Sequence, residues 1–262
     1  MSHQSADPDQ SPAPDQSPNP ARRVGVATGL TLLGVVLSVL LSIPTLVVSL
    51  APTAEFVVAL VLSELGFVGS ALVFLRATGN GVDYLRIRTP SRRALGIVIG
   101  GTVALFVYRL VAISMAQQFG LPLAGNSVTQ LAEEGFLTTL VLLIPLSVLV
   151  IGPAEELLFR GVIQSYLDGA FSRAPAVVLT SVLFALVHLP TTWVATPDPV
   201  AVAVTLAILF GLSVLLGYFF VWTENLVVPI LIHGLYDALL FAIAYVALSS
   251  DVLNEAVAVG AR

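Results

Sequence analysis

The chain has 262 residues, of which 57% are hydrophobic and 10% charged, and its formal net charge is −5. Globular domains carry about 25% charged residues, so a mean hydropathy of +0.97 excludes an ordinary water-soluble domain. The absence of cysteine removes disulfides, thiolate metal ligands and thiol nucleophiles, and the lack of a basic patch argues against nucleic acid as a partner.

Residues 1–21 are polar, rich in Pro, Ser, Asp and Gln, and repeat the run Pro-Asp-Gln-Ser-Pro at Pro8 and Pro14. Such a segment buries too little apolar surface to offset its ordering entropy and is expected to be disordered. His3, in this tail, has no expected role. Residues 22–250 form the expected transmembrane domain. Seven apolar runs fall near 24–50, 55–76, 94–118, 136–169, 174–191, 199–222 and 226–249, most of them long enough to cross about 30 Å of hydrocarbon as helices. The expected fold is therefore an all-α, polytopic helix bundle of seven spans, or eight if a short re-entrant piece adds one. Residues 251–262 are left as a C-terminal tail. Pro145 and Pro153 leave open whether the fourth span runs unbroken.

All eleven basic residues are arginine. Eight of them lie before span one, at or between spans two and three, and between spans four and five, whereas the links at 51–54, 119–135 and 192–198 have none. The excess of positive charge on cytoplasmic loops then predicts an integral protein of the cell membrane with a cytoplasmic N-terminus. Lipid is its first expected partner.

Ionisable groups inside hydrocarbon are costly and need a partner or a function. Glu64 and Arg109 each lie about nine residues from the outer ends of spans two and three, so antiparallel neighbours would bring them to one depth. That predicts a structural ion pair fixing helix register, or a contact to substrate.

In the fourth span, Glu156 and Arg160 are four residues apart in the favourable order for a helical ion pair. Glu155 points about 100° away. One carboxylate thus has a local counter-charge while its neighbour does not, an asymmetry suited to a general base beside a structural acid. If spans four and five form a hairpin turning near residues 171–172, Glu155 and His188 stand at one height, each about 16 residues from the turn. His233 and Asp237 are four apart and share a helix face, and Gly234 beside them would allow close helix approach. Glu224 and Asn225, in a short link, read as interfacial.

Together these groups can activate water for amide hydrolysis, with a second polar set stabilising the oxyanion that forms. Glu155, His188 and His233 could instead hold a divalent metal such as zinc, leaving one position open. The cofactor is not decided by the sequence.

The motifs Glu155-Glu156-Leu-Leu-Phe-Arg160, Phe184-Ala-Leu-Val-His188 and His233-Gly-Leu-Tyr-Asp237, spread over about 135–245, resemble those of the CAAX-protease and bacteriocin-processing family, which includes the type II CAAX prenyl endopeptidases. The resemblance implies an intramembrane endopeptidase, described for the family both as a glutamate-type and as a metalloprotease. It implies that Glu155 with His188 activates the water, that His233 and residue 237 help bind the oxyanion, and that Glu156, Arg160 and Phe184 support the site. Many members carry Asn where this chain has Asp237. An ionised Asp accepts hydrogen bonds but cannot donate them, so Asp237 would orient His233 or ligate a metal. The implied substrate is a peptide or protein, either prenylated or membrane-embedded. Two other classes fit the polar inventory: a non-catalytic membrane partner of the immunity type, and a proton-coupled transporter. The transporter would need paired repeats in both halves, which the sequence does not show.

Overall fold

A computed structural model describes residues 19–125 and 137–260; of the disordered tail expected over residues 1–21, residues 1–18 lie outside them and Pro20 and Ala21 begin a helix. Among the described residues the chain is helical, with no strand. The helices are α1 (Pro20–Ser42), α2 (Pro52–Thr78), α3 (Arg92–Gln118), α4 (Leu137–Leu167), α5 (Arg173–Val187), α6 (Leu189–Ala195), α7 (Pro199–Thr223) and α8 (Val227–Gly260). Seven spans, the fifth formed by α5 and α6 together, are long and apolar enough to cross a membrane. The chain is an integral membrane protein. Large apolar side chains such as Leu32, Val36, Ile99 and Val103 point outward, where lipid replaces water as their solvent.

The helix ends follow local chemistry. Asn19 Oδ1 accepts from the Ala21 and Arg22 amides ahead of Pro20, and Ser91 Oγ accepts from the Ala94 amide. Asp198 Oδ1 accepts from the Val200 and Ala201 amides ahead of α7. Each cap satisfies donors left free at a helix start, and proline at the first turn loses nothing there. Helix α2 stops at Gly79, whose φ of 68° is the left-handed conformation that terminates helices. Helix α8 runs to Gly260, beyond the boundary that hydropathy drew at residue 250.

The central element is α4. It stays helical through Pro145 and Pro153, with two π-helical stretches, Ser147–Ile151 and Leu157–Gln164. A proline within an α-helix removes one amide donor and crowds the carbonyl four residues back. The wider π turn relieves this, and the Gly152 amide donates to Ser147 O, five residues back. Such turns recur at functional sites. Around α4 pack α2, α5 and α8, while α3 packs on α7 and α8 rather than on α2.

That neighbour order corrects one sequence expectation. Glu64 and Arg109 form no ion pair, since no Glu64–Arg109 contact falls within 4.0 Å. Helices α2 and α3 follow each other in sequence but belong to opposite sides of the bundle. Arg109 Nη1 instead approaches Tyr236 Oη at 3.4 Å, and Glu64 is turned toward α4.

Candidate active site

Glu156 and Arg160 form the buried base of the site. Both side chains are 0% exposed, and Arg160 Nη1 donates to Glu156 Oε1 at 2.7 Å. Arg160 Nη2 donates to Ser213 O at 3.0 Å and to Ser213 Oγ at 2.8 Å, and the guanidinium lies over the Phe184 ring at 4.8 Å. The planar fork of arginine serves a carboxylate, a carbonyl and a hydroxyl at once, which a lysine ammonium could not match in geometry. Ser213 was not foreseen. Its signal was a hydroxyl within the otherwise apolar run of α7.

His233 is brought to this base by the crossing of α4 and α8. A Cβ on Gly152 would lie 2.9 Å from Ile230 O and 3.0 Å from Gly234 N, and one on Gly234 would lie 2.8 Å from Ser147 O. The two helices therefore meet backbone to backbone, as small residues permit. His233 Nδ1 donates to Glu156 Oε1 at 2.8 Å, while Nε2 lies 3.2 Å from Asp237 Oδ2 and 3.8 Å from Glu155 Oε2. Carboxylate oxygens thus face both ring nitrogens, and Asp237 meets His233 as an acceptor.

His188 follows directly after α5, in the hairpin that pairs α5 with α4. Its Nδ1 donates to Phe184 O at 2.9 Å. A carbonyl can only accept, so this bond places the hydrogen on Nδ1 and leaves Nε2 of the neutral ring as an acceptor. Phe184 is a spacer between the imidazoles, with ring centroids 5.0 Å from His188 and 6.0 Å from His233, and packs edge-on against Phe159 at 5.1 Å.

Glu155 differs from its neighbour. It is 7% exposed and makes no hydrogen bond among the described residues, whereas Glu156 leaves only Oε2 unpartnered. It does not come within 4.0 Å of His188, although their charges interact. Glu64, 6% exposed and also without a partner for Oε2, is near enough for its charge to act on Glu155. The sequence placed Glu64 in a structural pair, whereas the fold adds it to the acidic side of this site. Beside His188 a cavity of about 190 Å³ is lined by Arg109, Thr191, Thr192, Thr205 and Ile208 among others.

The donor set fits a metal poorly. Both His233 nitrogens are already matched to carboxylates, and among the described residues no three His, Asp or Glu side chains converge as ligands would. The ligand set Glu155, His188 and His233 is therefore not assembled, and no step below runs through a metal.

The family model for type II CAAX prenyl endopeptidases of the Rce1-like kind matches residues 137–239, a stretch that holds all three motifs. A curated relative, the membrane-embedded CAAX protease MroQ of Staphylococcus aureus (strain USA300), is 25% identical over 235 residues, covering 82% of this chain and 87% of its own length. Over the stretch that carries its three motifs the chain is therefore similar to CAAX-type membrane proteases. That similarity supports a protease role within the membrane. No solved structure matches the chain. Glu64 and Arg109 lie outside the residues matched by the Rce1-like model, so their place at the site is visible only in three dimensions.

Proposed function

We propose that the chain is an intramembrane endopeptidase in which Glu155 is the general base. The observation that carries this reading is the contrast between adjacent carboxylates. Glu156 Oε1 accepts from both Arg160 and His233 and only its Oε2 is unpartnered, while Glu155 makes no hydrogen bond among the described residues and has His233 and His188 nearby. A base must have a free lone pair within reach of the water it deprotonates.

In the reaction, water between Glu155 and the imidazoles attacks the scissile carbonyl carbon, and Glu155 takes its proton. His233 keeps its Nδ1–H on Glu156 and turns its Nε2–H from Asp237 toward the oxyanion as that charge develops. Protonated Glu155 then delivers the proton to the leaving amide nitrogen as the C–N bond breaks, giving a carboxylic acid, which keeps water's second hydrogen, and an amine. His188 Nε2 orients the water by accepting its second hydrogen. Asp237 acts through His233, because a carboxylate cannot itself donate to an oxyanion. The substrate is a peptide or protein segment, prenylated or membrane-embedded.

The test is cleavage of a panel of short peptides, prenylated and plain, by the protein purified in detergent. Glu155→Gln and His188→Ala should each reduce cleavage by about 10²–10⁴-fold, the range of general-base catalysis. Cleavage that survives Glu155→Gln would overturn the mechanism.

A further inference from the structure

We infer that substrate reaches this site from the non-cytoplasmic face of the membrane, so that the client is a polypeptide segment presented on that face rather than a cytoplasmic prenylated C-terminus. The client class rests on the peptidase reading above; the side of access does not.

Three observations point the same way. The first is charge. Arg22 and Arg23 open α1, Arg76 closes α2, four arginines lie between residues 79 and 93, and Arg173 opens α5. In a bundle of alternating helices these eight share one end. Arg109 and Arg160 are inside spans, and no arginine lies in the described links at the other end. Arginine and lysine excess marks the cytoplasmic side.

The second is closure at the arginine-rich end. The link between α2 and α3 docks against the short turn between α7 and α8. Leu226 N donates to Arg86 O at 3.1 Å, and Arg88 N donates to Asn225 Oδ1 at 3.2 Å. Leu85 and Leu226, 4% and 0% exposed, seat against Gly161, where an added Cβ would lie 3.1 Å from each. Gly161 follows Arg160 directly, so this apolar plug is one residue along α4 from the Glu156–Arg160 base.

The third is the cavity at the opposite end. Its walls come from the last turns of α3, residues 123–125, α6 and the first turns of α7, and it reaches inward to His188 and Arg109. Arg109 in turn approaches Tyr236, next in sequence to Asp237. The 123–125 segment is tied to the rim, with the Ala124 amide donating to Thr205 Oγ1 at 3.0 Å and the Gly125 amide to Thr196 Oγ1 at 2.9 Å. The site therefore adjoins a cavity through His188 toward the arginine-poor end, and apolar packing at the arginine-rich end.

The chain has no cysteine, so single cysteines report access against a silent background. Thr191→Cys and Leu209→Cys probe the cavity rim and wall, and Asn80→Cys and Thr89→Cys probe the arginine-rich links. Intact cells would be treated with a small anionic, membrane-impermeant methanethiosulfonate, and the remaining free thiol read as a maleimide gel shift. The expected result is loss of the shift at 191 and 209 in intact cells, and at 80 and 89 only after permeabilisation. The reverse pattern, or a cysteine at 209 that stays unmodified in intact cells while 191 reacts, would overturn the inference. The readout needs no peptidase activity, so it stands apart from any failure of the catalytic reading.

Discussion

Gly152 and Gly234 face each other where α4 crosses α8, with so little space between the backbones that a Cβ on Gly152 would come 3.0 Å from the Gly234 nitrogen. This contact sets the distance between the Glu155–Glu156 pair on one helix and His233 on the other. The chemistry of the site thus depends on two residues that have no side chain.

Gly234→Ala should separate the helices. Its Cβ would meet Ser147 O and Val148 Cα, each at 2.8 Å, and both are backbone atoms that cannot swing aside. Overpacking of this kind costs about 1–3 kcal/mol, and the displaced His233 should lose its bond to Glu156. Thermal unfolding in detergent and peptide cleavage should both fall. Gly96→Ala and Gly100→Ala on α3, where nothing lies within 4 Å, should leave both unchanged.

The two adjacent glutamates should separate stability from activity. Glu156→Gln leaves the Arg160 guanidinium buried without its counter-charge, a loss of about 3–5 kcal/mol for a broken buried pair. Glu155→Gln replaces a carboxylate oxygen that has no protein partner, so its unfolding temperature should match or exceed that of the parent while cleavage is lost. Equal destabilisation by both substitutions would show that the asymmetry between them is not real.

Chelation should not matter. His233 Nδ1 and Nε2 face Glu156 and Asp237, which leaves too few free donors for a metal site at Glu155, His188 and His233. Cleavage measured before and after exhaustive treatment with a chelator should be unchanged. Loss of cleavage restored by added zinc would require His233 to leave Glu156.

Asp168, in the turn after α4, should make stability depend on pH. Burial raises its pKa above the ordinary 3.8, outweighing the opposing pull of Arg86 and Arg173. The folded state then holds this proton more tightly than the unfolded one, so its contribution to stability falls as pH rises from 3.8 through the raised value and stays low above it. Asp168→Asn should therefore raise the unfolding temperature at neutral pH, and the gain should shrink as the pH is lowered toward 3.8. A gain that is constant with pH would rule out titration of Asp168 as its cause.

Much of the site was legible along single helices. The spacing of Glu156 and Arg160 predicted their bond, and the placement of Gly234 beside His233 predicted a close helix contact, because a helix fixes which residues share a face. Neighbours across helices were harder to read. Glu64 and Arg109 lie at matching depths, yet α2 and α3 pack on different partners, and hydropathy carries no information about azimuth. Ser213 and Gln164 were passed over for a related reason: a single polar residue in an apolar run gains meaning only from what faces it. Gln164 Nε2 donates to Gly217 O at 3.1 Å, across the same α4–α7 interface that joins Arg160 to Ser213.

By itself the sequence determined the membrane, the number of spans and the three motifs, since hydrocarbon thickness and the cost of buried charge act on local composition. Tertiary structure alone decided that Glu156 accepts two hydrogen bonds while Glu155 makes none among the described residues, that Glu64 comes near enough for its charge to act on Glu155, and that the cavity beside His188 and the apolar plug lie at opposite ends of the bundle. Those outcomes depend on which helix faces meet, and helix association in lipid is governed by small-residue packing and buried polar contacts rather than by hydrophobic pattern.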